Sequence, residues 1–177
     1  MANLIFSVEE VFTTYLGEFR CYRIPEYQRG YKWDKQQIEE LLNDIDKFKF
    51  VGDKDKFYCI QNITIVKDKD EKLFRVIDGQ QRLTTLVVLL SYLDKVEIIK
   101  DKLIYSVRPE TGDFLKHFIL NKQIEQFLNK QNEQEHEEWK KFLETPKPDN
   151  IIDYDHQDIY YLFTAYNTIR KWFKNKS

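Results

Sequence analysis

The sequence predicts an α+β fold, with a small mixed sheet and packed helices up to about residue 108 and a helical part over 109–177. Three observations carry this reading. Short runs rich in β-branched and aromatic residues recur at 19–24, 57–66, 73–77 and 103–108. Apolar residues at helical spacing stand between or after them, at 38–48, 83–93 and 157–173. Beyond Pro109, which interrupts the last strand-like run, the readable segments are helical.

Each element has a local cause. Ser7-Val-Glu-Glu10 is a capping box that starts a short helix, and Gly17 can end it. Phe19–Ile24 reads as a strand closed by Pro25, after which the chain runs irregularly to Trp33. Asp34 with Gln37 three residues on starts an amphipathic helix carrying Ile38, Leu41, Leu42, Ile45 and Phe48. Phe57–Val66 and Leu73–Ile77 flank the charged turn 67–72 and suggest a hairpin. Leu83–Leu93 is apolar nearly all round, which predicts the central buried helix. Leu103–Arg108 is a further strand, and Thr111 or Asp113 can cap a helix carrying Phe114, Leu115, Phe118 and Ile119. The polar stretch 121–144, with Phe127, Trp139 and Phe142 as sparse anchors, predicts exposed helices; 145–149 is a loop, and 157–173 is a last amphipathic helix.

Composition narrows the function. The chain has 177 residues, is 42% apolar and 15% aromatic, and is too rich in large side chains to be disordered. Its 28 basic and 30 acidic residues leave a net charge of -2, which excludes a uniformly basic nucleic-acid coat but not a local basic patch. Cys21 and Cys59 form no C-x-x-C pair, so neither a zinc ribbon nor a disulfide framework is readable, and a reducing, cytoplasmic setting is the expectation. The N-terminus lacks a basic, then apolar, export pattern, and no window approaches the ~20 apolar residues of a membrane span. No metal site is expected: Asp153-Tyr-Asp-His156 is read as a cap for the last helix, His117 and His136 have no matching partners, and the Glu133–Glu138 cluster is read as a solvated face.

The sharpest motif is Val76-Ile-Asp-Gly-Gln-Gln-Arg-Leu-Thr-Thr85, where a strand ends, a glycine permits a tight turn and a helix begins. Free N–H groups and the helix dipole favour an anion there. Gln80 and Gln81 bring amide donors, Arg82 a planar fork suited to phosphate, and Thr84 and Thr85 hydroxyls, while Asp78 can hold a metal-bound water. A purely structural reading stands beside this one, in which Asp78 caps the helix, Gly79 makes the turn and Arg82 pairs with a carboxylate. The second motif is Tyr22-Arg-Ile-Pro-Glu-Tyr-Gln-Arg-Gly-Tyr-Lys-Trp33. Its Arg23, Tyr27, Lys32 and Trp33 alternate cations with rings, a pattern that suits a nucleic-acid strand. The competing reading packs the rings on the core and leaves the charges wet.

Together, Ile24–Trp33, the helix with Leu41-Leu42 and Asp44-Ile45, and Val76–Thr85 resemble the N-terminal domain family of GmrSD-type modification-dependent restriction systems, a family similar to the ParB/sulfiredoxin fold. Val107–Thr111 and Asp158–Tyr166 are also similar to that family. The resemblance implies a phage-defence module, 1–108 being a nucleotide-binding core and 109–177 a helical extension packed on it. It implies a bound nucleoside triphosphate, Mg²⁺ and hydrolysis, with Asp78, Gln81 and Arg82 in catalysis and Gln28, Arg29, Gly79, Gln80, Arg82 and Thr84 holding the nucleotide. The implied partner is a separate HNH-type nuclease domain or subunit, since no such segment occurs in these 177 residues. One departure is Cys59-Ile-Gln61, in a stretch where the family often carries glycine. Two other expectations are a module that senses modified DNA and a protein-interaction domain docking through 123–142.

Overall fold

Ser7 and Asp34 start the first two helices as reciprocal capping boxes. The Ser7 hydroxyl accepts from the Glu10 N–H at 3.2 Å and the Glu10 carboxylate from the Ser7 N–H at 2.7 Å, which holds the Glu10 carboxyl below its ordinary value. Asp34 and Gln37 repeat the arrangement at 3.1 and 3.0 Å. Two backbone donors that a helix start leaves unpaired are satisfied in each case. Replacing Asp34 by alanine is expected to cost about 1 kcal/mol, read as a lower urea midpoint at unchanged slope.

The structure, a computed structural model, describes residues 5–48, 57–106, 109–130, 135–145 and 153–176. Its elements are α1 Val8–Phe12, β1 Tyr22–Ile24, α2 Lys35–Lys47, β2 Thr64–Asp68, β3 Leu73–Asp78, α3 Gln80–Tyr92, α4 Val96–Ile99, β4 Leu103–Tyr105, α5 Pro109–Phe114, α6 Gln123–Leu128, α7 Glu135–Glu144 and α8 Gln157–Lys174. A π-helical stretch, Leu115–Leu120, continues α5. The strands form one sheet in the order β2-β3-β1-β4. β1 lies parallel to both β3 and β4, and only the β2–β3 hairpin is antiparallel. The expected α+β class is therefore observed, and the sheet is mixed.

This topology sends the C-terminal ends of three parallel strands, Ile24, Asp78 and Tyr105, to one side of the sheet. Ligand sites in such sheets lie outside those ends. Both sequence motifs occur there, one following β1 and the other following β3.

Helix α3 is the central helix, as its apolar circumference predicts. Leu83, Leu86 and Val87 face a core with Phe12, Tyr22, Phe74 and Val76, while Val88 and Leu89 face a second core built with α2 and the later helices. A helix between two cores has no wet face to keep polar. The helical part seats on α2 and α3, and the Trp172 indole N–H donates to Asn43 Oδ1 at 2.9 Å across this junction.

Several expectations are corrected. α3 begins at Gln80, three residues before the apolar run, because Gly79 at φ +86° sets the start. Ladder pairing of β2 begins only at Thr64; residues 57–63 are irregular, and Gln61 at φ +72° breaks the extended backbone. Helix α5 starts at Pro109, whose missing N–H costs nothing at a first position. Thr111 is instead buried and donates to Asp158 at 2.6 Å, and Asp113 accepts from the Tyr154 hydroxyl. Within 153–156 it is His156 that stands at the N-cap of α8, but its side chain makes no capping bond.

The stretch 121–144 is not a set of exposed helices. Ile124, Leu128, Trp139 and Phe142 are buried, and Phe142 meets Phe114, Phe118, Phe127 and Trp139 ring to ring. A few large rings anchor a polar helix as firmly as a full apolar stripe. Glu138 leaves the solvated face too. It is 1% exposed and accepts from Asn167 at 2.6 Å and Lys171 at 3.0 Å. Glu133, Val107 and Arg108 lie outside the described residues, as do positions 146–149 of the loop.

Candidate functional site

At the C-terminal ends of β1 and β3 the two motifs are tied to each other by glutamines. The Gln28 amide donates to the Ile77 carbonyl at 2.8 Å, and the Gln80 amide to the Arg29 carbonyl at 2.9 Å. Gln81 makes both its bonds to the same loop: its amide donates to the Gly30 carbonyl at 3.0 Å, and its carbonyl accepts from the Lys32 N–H at 2.8 Å. One side chain thereby imitates a strand partner for residues 30–32. Between these anchors Tyr31 turns fully into the core, with its hydroxyl 2.8 Å from Thr85 Oγ1, and burial raises its phenol well above the usual range.

The consequence is directional. With Tyr31 inward and both flanking backbones pinned, the Arg29 and Lys32 side chains are exposed, and neither has an ion-pair partner among the described residues. Beside them α3 begins at Gly79 with no side chain capping its first turn. Two free cations thus flank a helix start whose dipole is positive.

Arg82 is differently placed. One terminal nitrogen donates to Gln61 Oε1 at 2.6 Å, the other to the Asn62 carbonyl at 3.0 Å, and Asp78 Oδ2 stands 3.8 Å away. Arg82 Nε is buried and unpartnered. Asp78 does not cap the helix; its side chain is 75% exposed and points to solvent beyond the β3 end. Thr84 is fully buried and shares a 2.7 Å hydrogen bond with the Tyr105 hydroxyl, which takes it out of reach of a ligand in solvent. Gln80 and Gln81 are 6% and 7% exposed, so their amides hold the loop rather than face outward.

The four residues expected to contact nucleic acid do not share one surface. Arg23 pairs with Glu71 at the β2–β3 turn, and this contact lowers the Glu71 carboxyl from its ordinary value. Trp33 is half-buried against the second core. Tyr27, 68% exposed, and Lys32 stay on the loop.

A cavity of about 40 Å³ opens beside the loop, lined by Ile24, Pro25, Glu26, Gln28, Arg29, Gly30 and Tyr105. That is room for about one water, so a larger ligand has to lie across the surface. A bigger cavity, about 300 Å³, lies between α2 and α8. Its three lysines are each matched by a carboxylate: Lys35 by Glu39 at 3.7 Å, Lys171 by Glu138 at 3.0 Å, and Lys176 by Asp46. Among the described residues no three His, Cys, Asp or Glu side chains are grouped to hold a metal, and no helix is long and apolar enough to cross a membrane.

Sequence reasoning missed Gln61, Asn62 and Tyr105. Tyr105 ends the third parallel strand, and strand order was the signal that finds it; Gln61 was marked only as part of Cys59-Ile-Gln61, a departure from the family pattern, with no role attached to it. A family model described as GmrSD restriction endonuclease, N-terminal domain, matches residues 8–176. No curated protein and no solved structure matches the chain.

Proposed function

Because the chain belongs to the N-terminal domain family of GmrSD restriction endonucleases, we propose that it is the module of a phage-defence restriction system that binds and hydrolyses a nucleoside triphosphate and so regulates a nuclease domain or subunit. The ParB/sulfiredoxin likeness and a cytoplasmic setting belong to the same proposal. One observation supports it above the others: the two motifs meet at the ends of parallel strands and present Arg29 and Lys32, both unpaired, beside the uncapped start of α3.

The phosphate chain lies across the first turn of α3, with Arg29 and Lys32 neutralising its outer oxygens and Arg82 offering its fork. Mg²⁺ is commonly held by one or two carboxylates together with substrate phosphates, and the exposed Asp78 carboxylate suits that role. When bound, the ion supplies charge neutralisation between phosphates. Asp78 also orients the attacking water, because both polar atoms of the Gln81 side chain are engaged in the loop.

Isothermal titration of each triphosphate, with and without Mg²⁺, tests this. Arg29→Gln removes an exposed, unpaired charge and should weaken binding about tenfold without altering the unfolding midpoint. Equal affinity in wild type and variant rejects the site. The exposed Tyr27 ring beside two cations supports a second reading, a module that senses modified DNA. Binding to modified over plain duplex across a salt series distinguishes it. Docking through 123–142 loses its motive, since the aromatics of that stretch are in the core.

A further inference from the structure

Arg82 belongs to the first turns of α3, where the triphosphate is proposed to lie, and its fork is already engaged. Gln61 Oε1 and the Asn62 carbonyl accept from its two terminal nitrogens at 2.6 and 3.0 Å. Both acceptors are neutral and side by side, in the arrangement two oxygens of one phosphate would take. They come from 57–63, the irregular segment leading into β2. Arg82 Nε remains buried and unpartnered, so this pairing meets the guanidinium only in part. Gln61 holds its place at φ +72°, a conformation that costs a residue with a side chain about 1 kcal/mol. A strained backbone supporting an incomplete set of bonds is a contact that a better acceptor can displace.

The geometry points to Gln61 as an intramolecular competitor of phosphate: with the Asn62 carbonyl it occupies the two Arg82 donors that phosphate oxygens take, and triphosphate binding displaces segment 61–62 from Arg82. This rests on the proposed triphosphate site and names a residue that governs affinity there. A phosphate oxygen replaces a neutral acceptor with a charged one, roughly doubling the strength of each bond, so the exchange runs toward the ligand. Asp78 is the other acceptor near the fork. At 3.8 Å and largely in solvent it competes weakly.

Two Gln61 variants move affinity in opposite directions. Gln61→Ala removes the side-chain acceptor and keeps the strained backbone, and should tighten binding of a Mg²⁺-loaded, non-hydrolysable triphosphate about five- to tenfold. Gln61→Glu sets a carboxylate against the same nitrogen and should weaken it by a similar factor. Amide hydrogen exchange on the wild-type chain gives an independent readout, with faster exchange over 60–63 when the triphosphate is added. If wild type binds and both variants bind equally well, the competition is refuted while the triphosphate site stands; if Arg82→Ala binds as wild type does, Arg82 is no part of the site and the competition is refuted with its role there. If neither wild type nor Gln61→Ala binds any triphosphate, the site itself is refuted.

Discussion

Gln81→Leu is expected to lower stability by about 2–4 kcal/mol, while Gln80→Leu, one residue earlier, costs under about 1 kcal/mol. The difference lies in what each side chain leaves behind. Gln81 satisfies a buried carbonyl of Gly30 and the N–H of Lys32. Leucine fills nearly the same volume and strands both groups. Gln80 makes one bond, to the partly buried Arg29 carbonyl, and its own Oε1 is buried without a partner. Replacing it removes an unsatisfied acceptor along with a useful donor, and the two effects offset. Urea unfolding of the two variants decides the matter. Equal midpoints would mean that the loop is not held by Gln81. The loss should extend beyond stability, because that amide holds the backbone at both Gly30 and Lys32, and Lys32 is aimed through it. Under the proposed function Gln81→Leu weakens triphosphate binding although it contacts no phosphate, and Gln80→Leu leaves more of it.

The same pair of residues shows what a sequence discloses. The strand–glycine–helix pattern of 76–85 places α3 and its turn correctly because local rules govern them: a positive-φ glycine and an apolar run. Capping boxes at Ser7 and Asp34 are legible for the same reason. What escapes is whatever depends on a partner distant in the chain. A glutamine at a helix start reads as a free donor, whereas Gln80 and Gln81 are spent on backbone 51 residues away. Thr84 likewise reads as a hydroxyl near a phosphate until Tyr105, 21 residues later, claims it. The burial of 123–142 is hidden for a related cause. Isolated aromatics at wide spacing give no helical period, and it is their convergence on Phe142 that makes a core. Arg82 illustrates both limits: its fork geometry is intrinsic and readable, its present acceptors are set by tertiary contact.

Gly79→Ala is expected to cost about 2–4 kcal/mol, several times the cost of Gly17→Ala, although both glycines have positive φ. At Gly17, φ is +54° and a Cβ would meet nothing within 4 Å, so only the left-handed conformation is charged against alanine, about 1 kcal/mol. At Gly79, φ is +86° and a Cβ would stand 3.0 Å from the Asn62 carbonyl oxygen and 3.1 Å from Ile63 Cα. Those are backbone atoms, which cannot swing aside as a flexible side chain does. The added methyl has to push 62–63 away from the start of α3, and that is the segment holding Arg82. Unfolding midpoints of the two alanine variants, measured side by side, separate conformational strain from steric conflict. A Gly79→Ala penalty no larger than that of Gly17→Ala would show that 62–63 yields freely and is not packed on the turn. A penalty of the expected size, accompanied by faster amide exchange at 61–63, would place the glycine among the residues that keep that segment on Arg82.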